Sequence, residues 1–268
     1  MISPEESEKH TPYIRFEREE PNQLWQMDFK GHFAMTNGER CHPLTMTDDC
    51  TRMLLCLDAY GNERWNVVEK SLLRVFRERG LPDAMLSDNG SPWADNHHGY
   101  TPYEIWMMQL GILPMHGRAL HPQTQGKEER FHRTLKEDVL KRRAIFDLEE
   151  AQRIFDAYRL EYNTGRPHAA IGYDVPQKRY CASRRQLPDT WGEPEYDAGL
   201  TLRKVNYKGY LSIQQHRYYL SESFAGKYLA LFSRPDDIVD ICYGAFRIAR
   251  IDLSERLFVS RKIYPFKL

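Results

Sequence analysis

Long hydrophobic runs are missing from this chain. Nowhere do eighteen apolar residues follow one another, so no membrane-spanning helix is expected. An excess of either charge is missing too. Thirty-eight Lys and Arg balance thirty-eight Asp and Glu, and the formal net charge is zero. Any attraction to nucleic acid must therefore come from local patches. Cysteine is sparse: Cys41, Cys50, Cys56, Cys181 and Cys242 are odd in number, scattered, and form no Cys-x-x-Cys pair. That argues against a disulfide framework or a Cys/His zinc site and points to a reducing cytoplasm. His97 and His98 lack further ligands nearby and read as surface histidines. The acid-rich start MISPEESEKHTPY has no signal-peptide apolar segment. No G-x-S-x-G, catalytic-cysteine signature or P-loop is found, so a side-chain nucleophile and a Walker-type nucleotide site are not expected.

What is present suits a packed protein. The 268 residues are 41% hydrophobic and 12% aromatic, enough for one large domain or two modest ones. Residues 1–20 are charged and aperiodic, a tail or linker. LWQMDFKGHF alternates, with Trp25, Met27, Phe29 and Phe33 on one face and Leu24, Gln26, Asp28, Lys30 and His32 on the other. CHPLTMTDD and RMLLCLDAY read as two more strands around a turn at Asp48-Asp49-Cys50-Thr51. NERWNVVEKSLLRVFRERG is a helix with Gly80 past its end, and PDAMLS is a short strand. TPYEIWMMQLG is a helix capped by Thr101, with Pro102 in its first turn; ILPM is a strand. HGRALHPQTQGK is a polar loop, and helices are predicted over 128–143 and 147–162. This order predicts a mixed-sheet α/β domain over 21–185. QLPDTWGEPEYDAG supplies a linker over 186–198, and 199–268 holds short alternating runs typical of an all-β domain of about five strands.

Three carboxylates stand where local structure does not require them. Asp28 is mid-strand, where Asp is a poor β-former. Asp88 ends a buried-looking strand in LSDNGSPW, although Asn89-Gly90 and Ser91-Pro92 also make an ordinary turn. In GKEERFHRTLKEDVLKRR, Glu128 shares a stripe with Phe131, Leu135 and Val139, whereas Glu129 lies on the opposite face with His132, Arg133 and Lys136. Glu129 and Arg133 also make a plain solvated i,i+4 pair. Together, two aspartates at neighbouring strand ends and one helical glutamate suit a pair of Mg²⁺ or Mn²⁺ ions, roughly 3.5–4 Å apart in phosphoryl-transfer sites.

LWQMDFKG, LSDNGSPW, HPQTQGKEERFHRTLK and YNTGRPHAAIGYDVPQKRY occur in that order. In them the chain resembles the catalytic core of bacterial insertion-sequence transposases of the integrase (DDE) superfamily, over about residues 13–185. The resemblance implies a ribonuclease-H-like mixed sheet flanked by helices. RKVNYKGYLSIQQHRYYLSESFAGKYLALF resembles the small Src-homology-3-like β-barrel that follows the core in some members. By the same resemblance Asp28, Asp88 and Glu129 are the catalytic metal ligands, Asn89-Gly90 the turn beside the second aspartate, and Gln125-Gly126 the mobile loop before the catalytic helix. The family usually carries helix-turn-helix DNA-binding modules ahead of the core, and this chain starts just before it; a trimmed or truncated form is the expectation.

The resemblance implies metal-dependent 3′-end cleavage of transposon DNA and strand transfer into target DNA by a homo-oligomer. Expected DNA contacts are Gln125, His132, Arg133, Lys136, Arg166, Lys208 and Arg217. Residues 199–268 carry twelve Lys/Arg against six Asp/Glu, with Tyr207, Tyr210, Tyr218 and Tyr219 interleaved. That fits DNA-backbone binding and equally a protein contact within a multimer. Two other readings remain open: an assembly fragment without autonomous activity, and a ribonuclease-H-like nuclease. Asp48, Asp49 and Asp58 are expected in turns and strand ends, and Trp25 and Trp65 in the core.

Overall fold

The structure, a computed structural model, describes residues 18–88, 90, 93, 99–117 and 126–266. Its first sheet is built from β1 (Trp25–Phe29), β2 (Phe33–Ala34), β3 (Arg40–Asp48), β4 (Leu54–Tyr60), β5 (Ala84–Ser87) and β6 (Leu113–His116). β3 pairs antiparallel with β1, β2 and β4, while β5 pairs parallel with both β1 and β6. Four antiparallel strands thus continue into two parallel ones, the mixed sheet expected. Parallel neighbours need crossovers. These are helix α1 (Trp65–Arg79) before β5 and α2 (Pro102–Gln109) before β6.

Helices cover both faces of this sheet. Trp25, Met27, Leu44 and Met46 pack on Val68, Leu72, Val75 and Phe76 of α1 and on Tyr103, Trp106 and Met107 of α2. Cys41, Leu54 and Leu57 pack on the opposite layer. That layer is formed by α3 (Gly126–Leu135), a π-helical turn (Lys136–Leu140) and α4 (Leu148–Thr164), through Phe131, Leu135, Val139, Ala151, Phe155 and Tyr162. The second face of β1 is accordingly not a solvent face. Gln26 is buried and donates from Nε2 to Asp49 Oδ1, because a sheet with helices on both sides leaves only its strand ends wet.

Local signals explain the boundaries. Gly80 ends α1 at φ 75°, and a Cβ there would lie 2.7 Å from the carbonyl oxygens of Ser183 and Arg185. Only glycine admits both the left-handed backbone and that close approach. Thr101 and Glu104 form a capping box at α2. Asp147 caps α4 by accepting Glu150 N at 2.8 Å. The helix predicted over 128–143 instead gives way at Lys136 to the π-helical turn, whose Asp138 receives Tyr158 Oη and Arg166 Nη1. A short helix α5 (Pro176–Arg179) closes this part.

Beyond it lie β7 (Thr201–Lys204), β8 (Tyr210–Ile213), β9 (His216–Tyr219), β10 (Tyr228–Ser233), β11 (Ile238–Tyr243), β12 (Phe246–Asp252), β13 (Leu257–Ser260) and β14 (Tyr264–Pro265). Six of these form an antiparallel sheet, and β8–β9 is a separate hairpin, eight strands where about five were expected. Their core reaches into the first part. Tyr100, Ile105 and Met108 pack among Leu211, Phe224, Ile241, Tyr243 and Ile248. The segment over 186–198 is not a free linker: the Trp191 ring lies 6.0 Å from that of Trp106, and Glu193 accepts Tyr243 Oη at 3.0 Å. Among the described residues no helix is long and apolar enough to cross a membrane.

Candidate active site

Sheet register brings the two aspartates together. Trp25 pairs with Met85 and Gln26 with Leu86, so the same offset, carried two residues on, places Asp28 beside Asp88. Asp28 is near the end of β1, and Asp88 is the first residue past β5. Burial pushes the Asp28 carboxyl up to about 8, helped by the negative charges of Glu128 and Asp88. Like charges held in a half-dry site cannot all ionise at ordinary pH without a compensating cation. Asp88 turns back on itself, its Oδ1 accepting Gly90 N at 3.0 Å.

Two residues of α3 act on Asp28, Glu128 by its charge and His132 at 3.9 Å. Phase analysis already puts Glu128 in the buried stripe, and it is only 2% exposed. The hydroxyls of Thr45 and Thr47, both on β3, donate to its two oxygens. Burial pushes Glu128 up to about 7 despite those hydroxyl bonds. Thr45 Oγ also lies 2.9 Å from the Asp28 carbonyl oxygen and 2.9 Å from His132 Nε2, tying strand and helix into one network. Glu129 is not drawn in. Its side chain is 71% exposed and faces Arg133 at 3.7 Å, the solvated i,i+4 arrangement.

His132 departs from its expected place on an outward DNA-facing surface. Its side chain is mostly buried, with Nδ1 3.9 Å from Asp28 Oδ2 and Nε2 3.8 Å from Glu128 Oε2. Burial and the charge of Lys30 hold its pKa down to about 4, so the ring is neutral beside the carboxylates. Arg166 is also spoken for: its Nη1 is bonded to Asp138. Arg133 and Lys136 are exposed on α3 and the turn after it, Lys208 is exposed in the turn before β8, and Arg217 is exposed on β9. Gln125 and Asn89 lie outside the described residues. Asp48, Asp49 and Asp58 are structural, as expected. Asp48 accepts Asn22 N and Thr51 N, Asp49 accepts Lys127 Nζ, and Asp58 takes Arg74 Nη2 on both oxygens at 2.8 Å. Trp25 is fully buried, and Trp65 packs against the same core.

Sequence reasoning misses Thr45, Thr47, Glu104 and His116. The two threonines left a faint signal, since alternate hydroxyls on a strand face one side. Glu104 and His116 left less, because only the fold sets the α2 N-terminus against the end of β6. His116 Nδ1 lies 3.0 Å from the Asp88 carbonyl oxygen, and its Nε2 lies 3.2 Å from Glu104 Oε1. Burial alone would lower the His116 pKa, but the bond and charge of Glu104, with the Asp88 carbonyl, raise it above the ordinary value.

The donor set fits a hard divalent cation. Asp28 and Asp88 offer carboxylate oxygens, the donors such ions prefer, and the first turn of α3 carries two more carboxylates, Glu128 and Glu129. Among the described residues, no three His, Cys, Asp or Glu side chains converge closely enough to hold an ion as they stand.

Comparison with known proteins places these elements in context. The chain matches the integrase core domain over residues 18–122, and a second family of the same description over residues 110–176. The InsD protein of insertion element IS2E from Escherichia coli strain K12 is 30% identical over 167 residues, 59% of this chain and 73% of that protein. An uncharacterized protein of insertion element IS407 from Burkholderia multivorans is 27% identical over 169 residues, 63% of this chain. Another, of insertion element IS476 from Xanthomonas euvesicatoria, is 27% identical over 165 residues, 62% of this chain. The chain spans 58% and 46% of the length of these last two relatives. Among solved structures, the simian T-cell lymphotropic virus intasome in complex with PP2A regulatory subunit B56 gamma superposes with a TM-score of 0.51. The identity is 15%, covering 94% of this chain and 79% of that one, a likeness of fold.

Proposed function

The chain belongs to the integrase-core family of bacterial insertion-element transposases, and from that membership and its carboxylate geometry we propose that it cuts transposon ends and joins them to target DNA. The observation that carries this reading is the parallel β1–β5 register, which sets Asp28 beside Asp88 under the acidic first turn of α3. In it, residues 21–185 are the catalytic core and 199–268 a C-terminal unit that faces DNA or another subunit, within a multimer assembled on DNA.

Asp28, Asp88 and Glu129 would hold two Mg²⁺ or Mn²⁺ ions. The chemistry such ions supply when bound is polarisation of the attacking oxygen and stabilisation of the leaving one. The exposed Glu129–Arg133 pair is worth only about 0–1 kcal/mol, so Glu129 exchanges that partner readily. Thr45 orients Asp28 through its carbonyl and Glu128 through its carboxylate. Neutral His132 fills the space beside Asp28 without adding a positive charge. Arg133, Lys136, Lys208 and Arg217 are the exposed cations offered to the DNA backbone, and Gln125 stays in the set by resemblance.

A second assignment of the third ligand is favoured by one observation: it is Glu128 that Thr45 and His132 join to Asp28 in one network. Strand transfer of pre-cut ends in Mn²⁺ tests both. Asp28→Asn, Asp88→Asn and Glu129→Gln are expected to abolish joining while the variants stay folded, with Glu128→Gln retaining it. Full activity in Asp88→Asn overturns the function. Loss in Glu128→Gln with retention in Glu129→Gln moves the third ligand to Glu128.

A further inference from the structure

We propose that His116 and Glu104 form a positioning relay that fixes the backbone of Asp88, so that the cation affinity of the site depends on two residues that touch no cation. This rests on the reading of Asp88 as a metal ligand.

The β5–β6 ladder stops one residue short of Asp88. Its last pair is Ser87 with His116, and Gly117 N donates to the Ser87 carbonyl at 3.0 Å. The Asp88 carbonyl is left to the His116 ring, whose Nδ1 lies 3.0 Å away, with Ser87 Oγ 3.3 Å from the same nitrogen. The Asp88 carboxylate is held separately by Gly90 N–H. His116 thus continues the sheet by one residue with a side chain where backbone pairing has ended.

The ring is itself held. Its Nε2 faces Glu104 Oε1 at 3.2 Å, and Glu104 Oε2 accepts Thr101 N at 2.7 Å and Thr101 Oγ at 3.1 Å. Glu104 is only 7% exposed, so the carboxylate cannot be replaced cheaply by water. Both ring nitrogens face acceptors, Nδ1 the Asp88 carbonyl and Nε2 the Glu104 carboxylate, so the ring is fixed from both sides. Thr101 is pinned by its bond to the Trp93 carbonyl at 3.0 Å. Its neighbour Tyr100 accepts Ser221 Oγ at 2.7 Å and donates from Oη to the Ile248 carbonyl. The relay therefore ends in rigid structure contributed by the C-terminal strands. Outer partners that orient a ligand typically change metal affinity 10–100-fold when removed.

Calorimetric titration of the intact chain with Mn²⁺, alongside metal-free melting temperatures, tests this. Asn at 116 presents a donor near the position of Nδ1, and Gln presents one near Nε2. Expected is a roughly tenfold weaker Kd in His116→Ala and His116→Gln, with His116→Asn within about threefold of the parent. A residue that merely plugs the gap would instead bind Mn²⁺ equally in all three, or track melting temperature. The relay is overturned if His116→Gln binds Mn²⁺ like the parent, or if His116→Asn is as weak as His116→Gln. Asp88→Asn separates the two layers: normal Mn²⁺ binding there removes Asp88 as a ligand and the relay with it. Loss there with normal binding in His116→Gln removes the relay alone.

Discussion

At the scale of single residues, Asp28 and Glu128 are costly neighbours. Burial raises Asp28 from an ordinary value near 3.8 to about 8 and Glu128 from near 4.5 to about 7. The folded state then holds protons that the unfolded chain has already released, so stability falls as pH rises through that window. This is the reverse of the usual surface carboxylate. Metal-free protein in a chelator is expected to melt progressively lower between about pH 4 and 8. Asp28→Asn is expected to flatten that slope and to melt above the parent at pH 8. Added Mn²⁺ is expected to restore the parent at high pH, by preferential binding to the folded state. A melting temperature in chelator that rises steadily to pH 8 would remove the mutual repulsion from the account.

At the scale of elements, the helix ends carry the positioning. The α2 capping box holds Glu104 where His116 meets it, and Gly80 lets α1 stop against the chain returning at Ser183 and Arg185. Gly80→Ala is expected to cost more than about 1 kcal/mol in urea unfolding, since its φ of 75° and its close carbonyl neighbours both reject a Cβ. A change within a few tenths would show that the Ser183–Arg185 segment yields. The first turn of α3 is the other decisive element. It buries Glu128 against Thr45 and Thr47 and leaves Glu129 outside, so one helical step separates a latched carboxylate from a free one.

At the scale of the whole molecule, the C-terminal strands are built into the same body as the first sheet. Tyr100, Ile105 and Met108 belong to their core, and Tyr100 Oη reaches the Ile248 carbonyl. All five tryptophans precede residue 192, four in the first part and Trp191 in the segment after it packed on Trp106, so tryptophan fluorescence reports chiefly the first part. Its urea midpoint is expected to coincide with that of hydrogen exchange in β11 and β12. Two separated midpoints would mean that the parts unfold independently. Tyr100→Phe, which removes the bond to the Ile248 carbonyl, is expected to lower both midpoints together by about 1 kcal/mol.

Much of this was determined by the sequence alone. Alternation marked β1, a polar turn between two apolar runs marked β3 and β4, helical spacing marked α1 and α3, and cap residues marked where α2 begins and α1 ends. These are local signals, written in side chains a few residues apart. The order of three acidic motifs, with the resemblance they carry, pointed to Asp28 and Asp88 before any register was known. What tertiary structure alone decided is who meets whom across long separations. Helical phase separates Glu128 from Glu129, but only the packing of α3 on β3 shows that Glu128 is latched by Thr45 and Thr47, and that His132 turns inward beside Asp28. Arg166 looked free for DNA until the π-helical turn brought Asp138 to it. His116 and Glu104 left no sequence signal of their partnership, because it exists only where a parallel strand end meets the start of a neighbouring helix. Pairing over such distances depends on chain topology, and topology is set by the burial of both sheet faces together rather than by any stretch of residues alone.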